Sequence, residues 1–171
     1  MIITLDAADK RLAKKIGASR FKNARKRGIP NERWGPQDDE YTDREGMSGE
    51  IAFCRLHKIP PDEEVGAKTK DHDCEIDGVR IDVKTTKYGF EEGSKKGYLT
   101  SRCDKEYEVD VYALMVGEGG TYRFAGWCTH DELRKPENIG FLPKARNPCY
   151  MLHQGVLRHE PLTKRAFKRA G

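Results

Sequence analysis

Two aspartates and a lysine near the middle of the chain, Asp73, Asp82 and Lys84, are spaced so that a tight β-hairpin would bring them onto one face. Two carboxylates held close together make a seat for a hard divalent cation such as Mg²⁺, which takes oxygen ligands and keeps waters that it can activate. A lysine beside them reaches a water, a phosphate oxygen or the second carboxylate. The chemistry this suggests is the activation of a metal-bound water.

The hairpin follows from Asp77-Gly78, which matches a two-residue type I′ turn because both central positions need positive φ. In that register Ile76 faces Val79, Glu75 faces Arg80, Cys74 faces Ile81, Asp73 faces Asp82 and Asp71 faces Lys84. Cys74, Ile76, Val79, Ile81 and Val83 then share an apolar face, which His72 also joins. Asp71, Asp73, Glu75, Arg80, Asp82 and Lys84 share the other. The Asp73/Asp82 rung is the anomaly, since directly opposed like charges destabilise a strand pair. At about 5 Å and an effective dielectric near 20 the repulsion is on the order of 3 kcal/mol, which favours protonation or a bound cation. The alternative is a solvated strand face with one poor rung. Asp71 stays a rival to Asp73, because a bulge would shift the pairing.

A third carboxylate comes from the segment Asp43 to Leu56, whose Met47, Ile51 and Cys54 follow helical spacing. Glu50 falls between Cys54 and Phe53 on the wheel, inside the apolar stripe. A buried lone carboxylate is costly, so Glu50 is either a further metal ligand or the partner of a neighbouring cation.

Glu50 on a helix, Asp73 on one strand, and Ile81-Asp82-Val83-Lys84 on the next together resemble the PD-(D/E)xK nuclease superfamily. The resemblance spans roughly residues 43 to 135, and Gly126-Trp127 followed by Asp131-Glu132-Leu133 is similar to small phage members of the group. The chain departs from the pattern in having His72 where the motif has its proline. The resemblance implies an α/β (α+β) restriction-endonuclease-like core, a mixed sheet of about five strands flanked by helices. It implies catalytic Glu50, Asp73, Asp82 and Lys84, with Mg²⁺ (Mn²⁺ as a substitute) held by Asp73, Asp82, the Val83 carbonyl and Glu50. It also implies a DNA substrate.

The elements that would position these groups follow from the pattern along the chain. Residues 2 to 5 read as a short edge strand or a fray, 8 to 27 as one or two basic helices, and 28 to 42 as a loop leading to the Glu50 helix, which Pro60-Pro61 closes. Residues 68 to 86 form the hairpin, 98 to 102 a third strand, and 109 to 116 with 121 to 128 a second hairpin. Only 103 to 108 leaves room for the family's helix between its third and fourth strands. Asp131 to Lys135 is a short helix, followed by extended or looping chain and a basic C-terminal helix.

At 171 residues, with 35% charged and 36% hydrophobic, the chain fits one domain, 1–171, carrying a basic helical segment at about 8–27 and a basic tail at about 161–171. No apolar run approaches the length needed to span a bilayer and no signal-peptide pattern is present, so the expectation is a soluble, cytoplasmic protein, in the host's cytoplasm if the chain is viral. Five scattered cysteines without a C-x-x-C pair argue against zinc and for buried, reduced thiols. The net charge of +4 is unevenly spread, with nine basic residues and no acid between Lys10 and Arg27. Lys14, Lys15, Lys22, Arg25 and Lys26 on that segment, with Lys87, Lys95 and Lys96 on a glycine-containing connection, are the expected phosphate contacts. A metal-dependent DNA endonuclease is the leading expectation. A homodimer would allow paired cuts, although no motif demonstrates one. The alternatives are a non-catalytic nucleic-acid-binding protein and an assembly subunit.

Overall fold

The hairpin forms where the turn chemistry places it. In the computed structural model, which describes residues 1–26, 28, 39–63, 71–143, 145 and 147–170, β2 (Cys74–Ile76) and β3 (Val79–Thr86) pair antiparallel with Cys74 opposite Ile81, Glu75 opposite Arg80 and Ile76 opposite Val79. Asp77 and Gly78 carry φ of 50° and 85°, the two positive values that a type I′ turn demands. Arg27, most of the expected loop after it and the first residues of the expected hairpin lie outside the described residues.

The chain folds as a mixed α+β structure around a five-stranded sheet in the order β1-β6-β5-β3-β2. Its other members are β1 (Ile2–Thr4), β5 (Val111–Glu118) and β6 (Thr121–Thr129). Among the described residues the only parallel strand contact is β3 with β5, which sets Asp82 beside Tyr112 and Lys84 beside Leu114. Five strands were expected, but with a different membership: β4 (Tyr98–Arg102) leaves this sheet and joins β8 (Cys149–His153) and β7 (Ile139–Gly140) in a second one. Its place is taken by β1, the N-terminal edge strand. No helix forms between Cys103 and Glu108; that stretch is irregular.

Two helices cover one face of the central sheet. The first, α1 (Ala7–Lys26), packs on α2 (Asp39–His57), and Met47, Ile51 and Cys54 of α2 are buried as their spacing requires. Four residues expected in the preceding loop, 39 to 42, are helical instead. The helix stops at His57, ahead of Pro60-Pro61, because Lys58 adopts a left-handed φ of 56°. The Lys58 amide donates to the Arg55 carbonyl and the Ile59 amide to that of Cys54, a Schellman close. Ile81 and Val83 of β3 join this core with Val111, Ala113 and Met115 of β5.

The opposite face is also covered. Tyr112, Leu114 and Val116 meet Leu99 of β4 and, from β8, the half-buried Tyr150 and Leu152 in a second core. The strand face is therefore enclosed at Asp82, while Lys84 and Arg80 keep partial exposure and Glu75 faces solvent. After β6, α3 (His130–Leu133) is closed by a capping box between Thr129 and Glu132, and α4 (Lys164–Ala170) ends the described chain. No helix among the described residues is long and apolar enough to cross a membrane. The five cysteines are free, four of them buried.

Candidate active site

Asp82 and Lys84 project from the same face of β3, and the Lys84 ammonium lies 2.8 Å from Asp82 Oδ2 and donates to Oδ1 at 3.1 Å. Asp82 is 3% exposed, whereas the lysine side chain is 32% exposed at the mouth of a cleft. Burial alone would lower the Lys84 pKa, but the charges of Asp82 and then Asp73 outweigh it and raise the pKa above the ordinary lysine value. Its ammonium also sits 5.7 Å from the Tyr107 ring centroid, within cation–π range.

Asp73 reaches this group by a route that strand register does not describe. The β2 ladder ends at Cys74, and the Asp73 amide donates to the carbonyl of Ile81, which already lies opposite Cys74. The expected Asp73/Asp82 rung is therefore absent, because the chain breaks register one residue before it would form. The buried Asp73 carboxylate instead accepts from the Val83 amide at 2.7 Å, occupying the sheet edge that β2 has vacated. Asp71 takes no rung opposite Lys84 either. It accepts from Lys105 Nζ at 3.3 Å and from the Glu108 amide, well exposed. His72 is half-buried, and the nearby Asp110 pKa is lowered chiefly by the Arg80 hydrogen bond.

Glu50 is enclosed, as the helical wheel requires, and its partner is a residue that the sequence pattern had left among the surface cations. Arg20 Nη1 of α1 donates to both Glu50 oxygens, at 3.1 and 2.8 Å. Burial disfavours the Arg20 charge, but Glu50 in first place and Asp73 behind it more than restore it. Asp73 thus acts electrostatically on both Arg20 and Lys84, so the charges run Glu50, Arg20, Asp73, Lys84, Asp82 with alternating sign. Among the described residues no three His, Cys, Asp or Glu side chains are grouped closely enough to hold a metal. Two nearly buried aspartates remain, hard-oxygen donors of the kind that suit a Mg²⁺ ion retaining several waters.

Helix and strand approach closely beside this chain of charges. A Cβ on Gly49 would lie 2.0 Å from Thr85 Oγ1, so the residue before Glu50 packs directly on the residue after Lys84.

Lys84 lies on the wall of a cleft of about 810 Å³ between the C-terminal half of β3, β4 and the connection from Lys87 to Gly97. Lys87, Lys95, Lys96 and Arg102 line it with Tyr41, Tyr88, Tyr98 and Tyr107. The expected phosphate contacts therefore divide. Lys87, Lys95 and Lys96 flank the cleft that holds Lys84, whereas Lys14, Lys15, Lys22 and Lys26 are exposed on α1 and line no part of it. Arg25 is half-buried with its guanidinium over the Phe21 ring at 5.4 Å.

The chain matches no family model, no curated protein and no solved structure.

Proposed function

We propose that this protein is a metal-dependent DNA endonuclease that hydrolyses phosphodiester bonds, with a PD-(D/E)xK-type site on β3. One observation carries the reading: Asp73, Asp82 and Lys84 converge although register alone would not join them, and Lys84 opens from that buried cluster into a cleft rimmed by lysines. Asp73 and Asp82, with the Val83 carbonyl, would hold Mg²⁺ or Mn²⁺. The ion when bound lowers the pKa of a water and polarises the scissile phosphate. Lys84, donating from the cleft wall, would orient that water and counter charge gathering on the phosphate oxygens. Glu50, committed to Arg20, would hold Arg20 against Asp73 and so fix the direction of the Asp73 carboxylate. No side chain serves as nucleophile, so no covalent protein–DNA adduct forms, and trapping one would refute the scheme.

The decisive experiment incubates plasmid and branched DNA with Mg²⁺ or Mn²⁺ and compares the native chain with Asp82→Asn and Lys84→Ala. Cleavage by the native chain alone is expected, with Asp82→Asn losing more than the roughly 100-fold typical when a metal ligand loses its supporting partner. Equal cleavage by all three would remove the proposed site. A second reading, a nucleic-acid-binding protein or assembly subunit with this fold and no catalysis, draws on the engagement of Glu50 by Arg20 and on the lack of a three-ligand group among the described residues. It predicts metal-independent DNA retention and no cleavage by any of the three.

A further inference from the structure

The connection from Lys87 to Gly97 is longer than a β-turn requires, and the fold holds it in place from beneath. The buried Gln154 side chain donates to the Gly89 and Lys96 carbonyls, and its amide donates to the Gly97 carbonyl at 3.0 Å. Arg123 donates from β6 to the Phe90 and Gly89 carbonyls at 2.7 and 2.9 Å. Five hydrogen bonds from two side chains and one amide thus fix the backbone of a segment whose own side chains turn outward.

Glu91 and Glu92 of this connection are exposed but do not line the cleft, and the side chains that do are of two kinds. Lys87, Lys95 and Lys96 have no carboxylate partner among the described residues, and Lys87 Nζ lies 5.6 Å from the centre of the Tyr88 ring. Tyr88 and Tyr98, on the same wall of the cleft, are 47% and 37% exposed. The Tyr98 ring is set edge-on against His153, with centroids 5.3 Å apart. Two carboxylates also line the cleft, both already engaged: Glu118 accepts from Tyr41, and Glu45 accepts from Tyr122 and from the Gly119 amide. Three lysines without a carboxylate partner among the described residues and two exposed rings lining the same cleft suit an anionic chain that carries flat bases.

We propose that the cleft binds an unpaired, single-stranded segment of DNA, its phosphates against Lys87, Lys95 and Lys96 and its bases stacked on Tyr88 and Tyr98. Exposed rings gain by stacking on base faces, which an intact duplex keeps inside its own stack and a single strand offers freely. The inference rests on the nuclease reading for its link to chemistry at Lys84, and names unpaired DNA as the substrate class of that site.

The test uses the full chain in EDTA, with fluorescence anisotropy on a 20-nucleotide oligothymidine and on the same strand annealed to its complement. The single strand should bind at least about tenfold tighter. Tyr88→Ala and Tyr98→Ala should each lose about tenfold on it and little on the duplex, whereas Tyr98→Phe keeps its affinity because the ring is what stacks. The Lys95→Ala/Lys96→Ala pair should flatten the log–log salt slope by about 1.4, the value for two single-strand phosphate contacts. Equal or tighter duplex binding, tyrosine variants that bind like the native chain, or no binding at all would overturn the proposal. Cleavage is scored separately. Blunt-duplex cutting without single-strand preference defeats this inference alone, whereas single-strand preference without cleavage of any DNA defeats the nuclease reading alone.

Discussion

Arg20 with Glu50 and Lys84 with Asp82 are the same kind of object, a cation and a carboxylate 2.8 Å apart and mostly out of water, yet they are built into opposite situations. The first is closed between α1 and α2, with both partners largely buried. The second has a nearly buried acid on an enclosed strand face and a lysine that emerges into a cleft. Enclosure on both sides makes a pair a structural tie, because removing one partner strands the other charge. Enclosure on one side leaves a pair that can exchange its partner for a ligand. The alternating row of charges from Glu50 to Asp82 therefore has a fixed end and an open end, with Asp73 between them.

The largest effect should come from breaking the closed pair. Arg20→Ala takes the Arg20 guanidinium away from the largely buried Glu50 carboxylate and should destabilise the fold by about 3 kcal/mol, measured by urea unfolding; a loss under about 0.5 kcal/mol would erase the distinction drawn between the two ends. Next is acid sensitivity on the α2 side. Burial holds His57 well below its usual 6.5, at about 4, beside Phe53 at 4.3 Å between ring centroids. A base whose folded value is depressed leaves stability intact above about pH 6.5 and drains it as pH falls toward 4, because the unfolded chain takes the proton first. After discounting for partial exposure the loss is about 2 kcal/mol. In His57→Phe a thermal melt series should lose most of its slope over that window.

The open pair should respond to metal. With Mg²⁺ at ten times its dissociation constant, binding to the folded state adds about 1.4 kcal/mol, or roughly 3–6 °C in Tm for a chain of this size. Asp82→Asn should abolish the rise and Arg20→Lys should keep it; an unchanged rise in Asp82→Asn would place the ion elsewhere. The smallest effect tests a third pair, Arg158 with Glu132, which is more open than either. The Arg158 hydrogen bond pulls the Glu132 pKa down to about 2, and Glu132 also completes the capping box on α3. Glu132→Gln should cost about 1 kcal/mol at neutral pH, with the difference from the native chain shrinking as pH falls from about 4.5 toward 2.

The parts of this arrangement that local rules govern were legible before any coordinates. Asp77-Gly78 set the turn and three rungs, period-two alternation separated Ile81 and Val83 from Asp82 and Lys84, and helical spacing enclosed Glu50. The parts that depend on tertiary partners were not. Nothing in the local pattern around Asp73 marks a register break, because its cause is where the chain from residue 71 must run. Tyr98 to Arg102 has the look of any short strand, and its membership of a second sheet is decided by β8, some 50 residues later. Arg20 is one of nine basic residues in a row of cations, distinguished only by facing α2 and Glu50. Gln154 carries no chemical signature at all, although it fixes the connection that presents Lys87, Lys95 and Lys96.

Gly49 meets Thr85 with no side chain to intervene. The spacing between α2 and β3, and with it the separation of the closed pair from the open one, is set by bare backbone against a threonine. With no side chain on the glycine and only the short, β-branched Thr85 opposite it, the contact has few alternative lengths to adopt when neighbouring side chains change. Substitutions elsewhere along α2 can repack the core without altering the gauge of the site. At position 49 even one added methyl would have to be absorbed by moving the helix, and Glu50 would move with it.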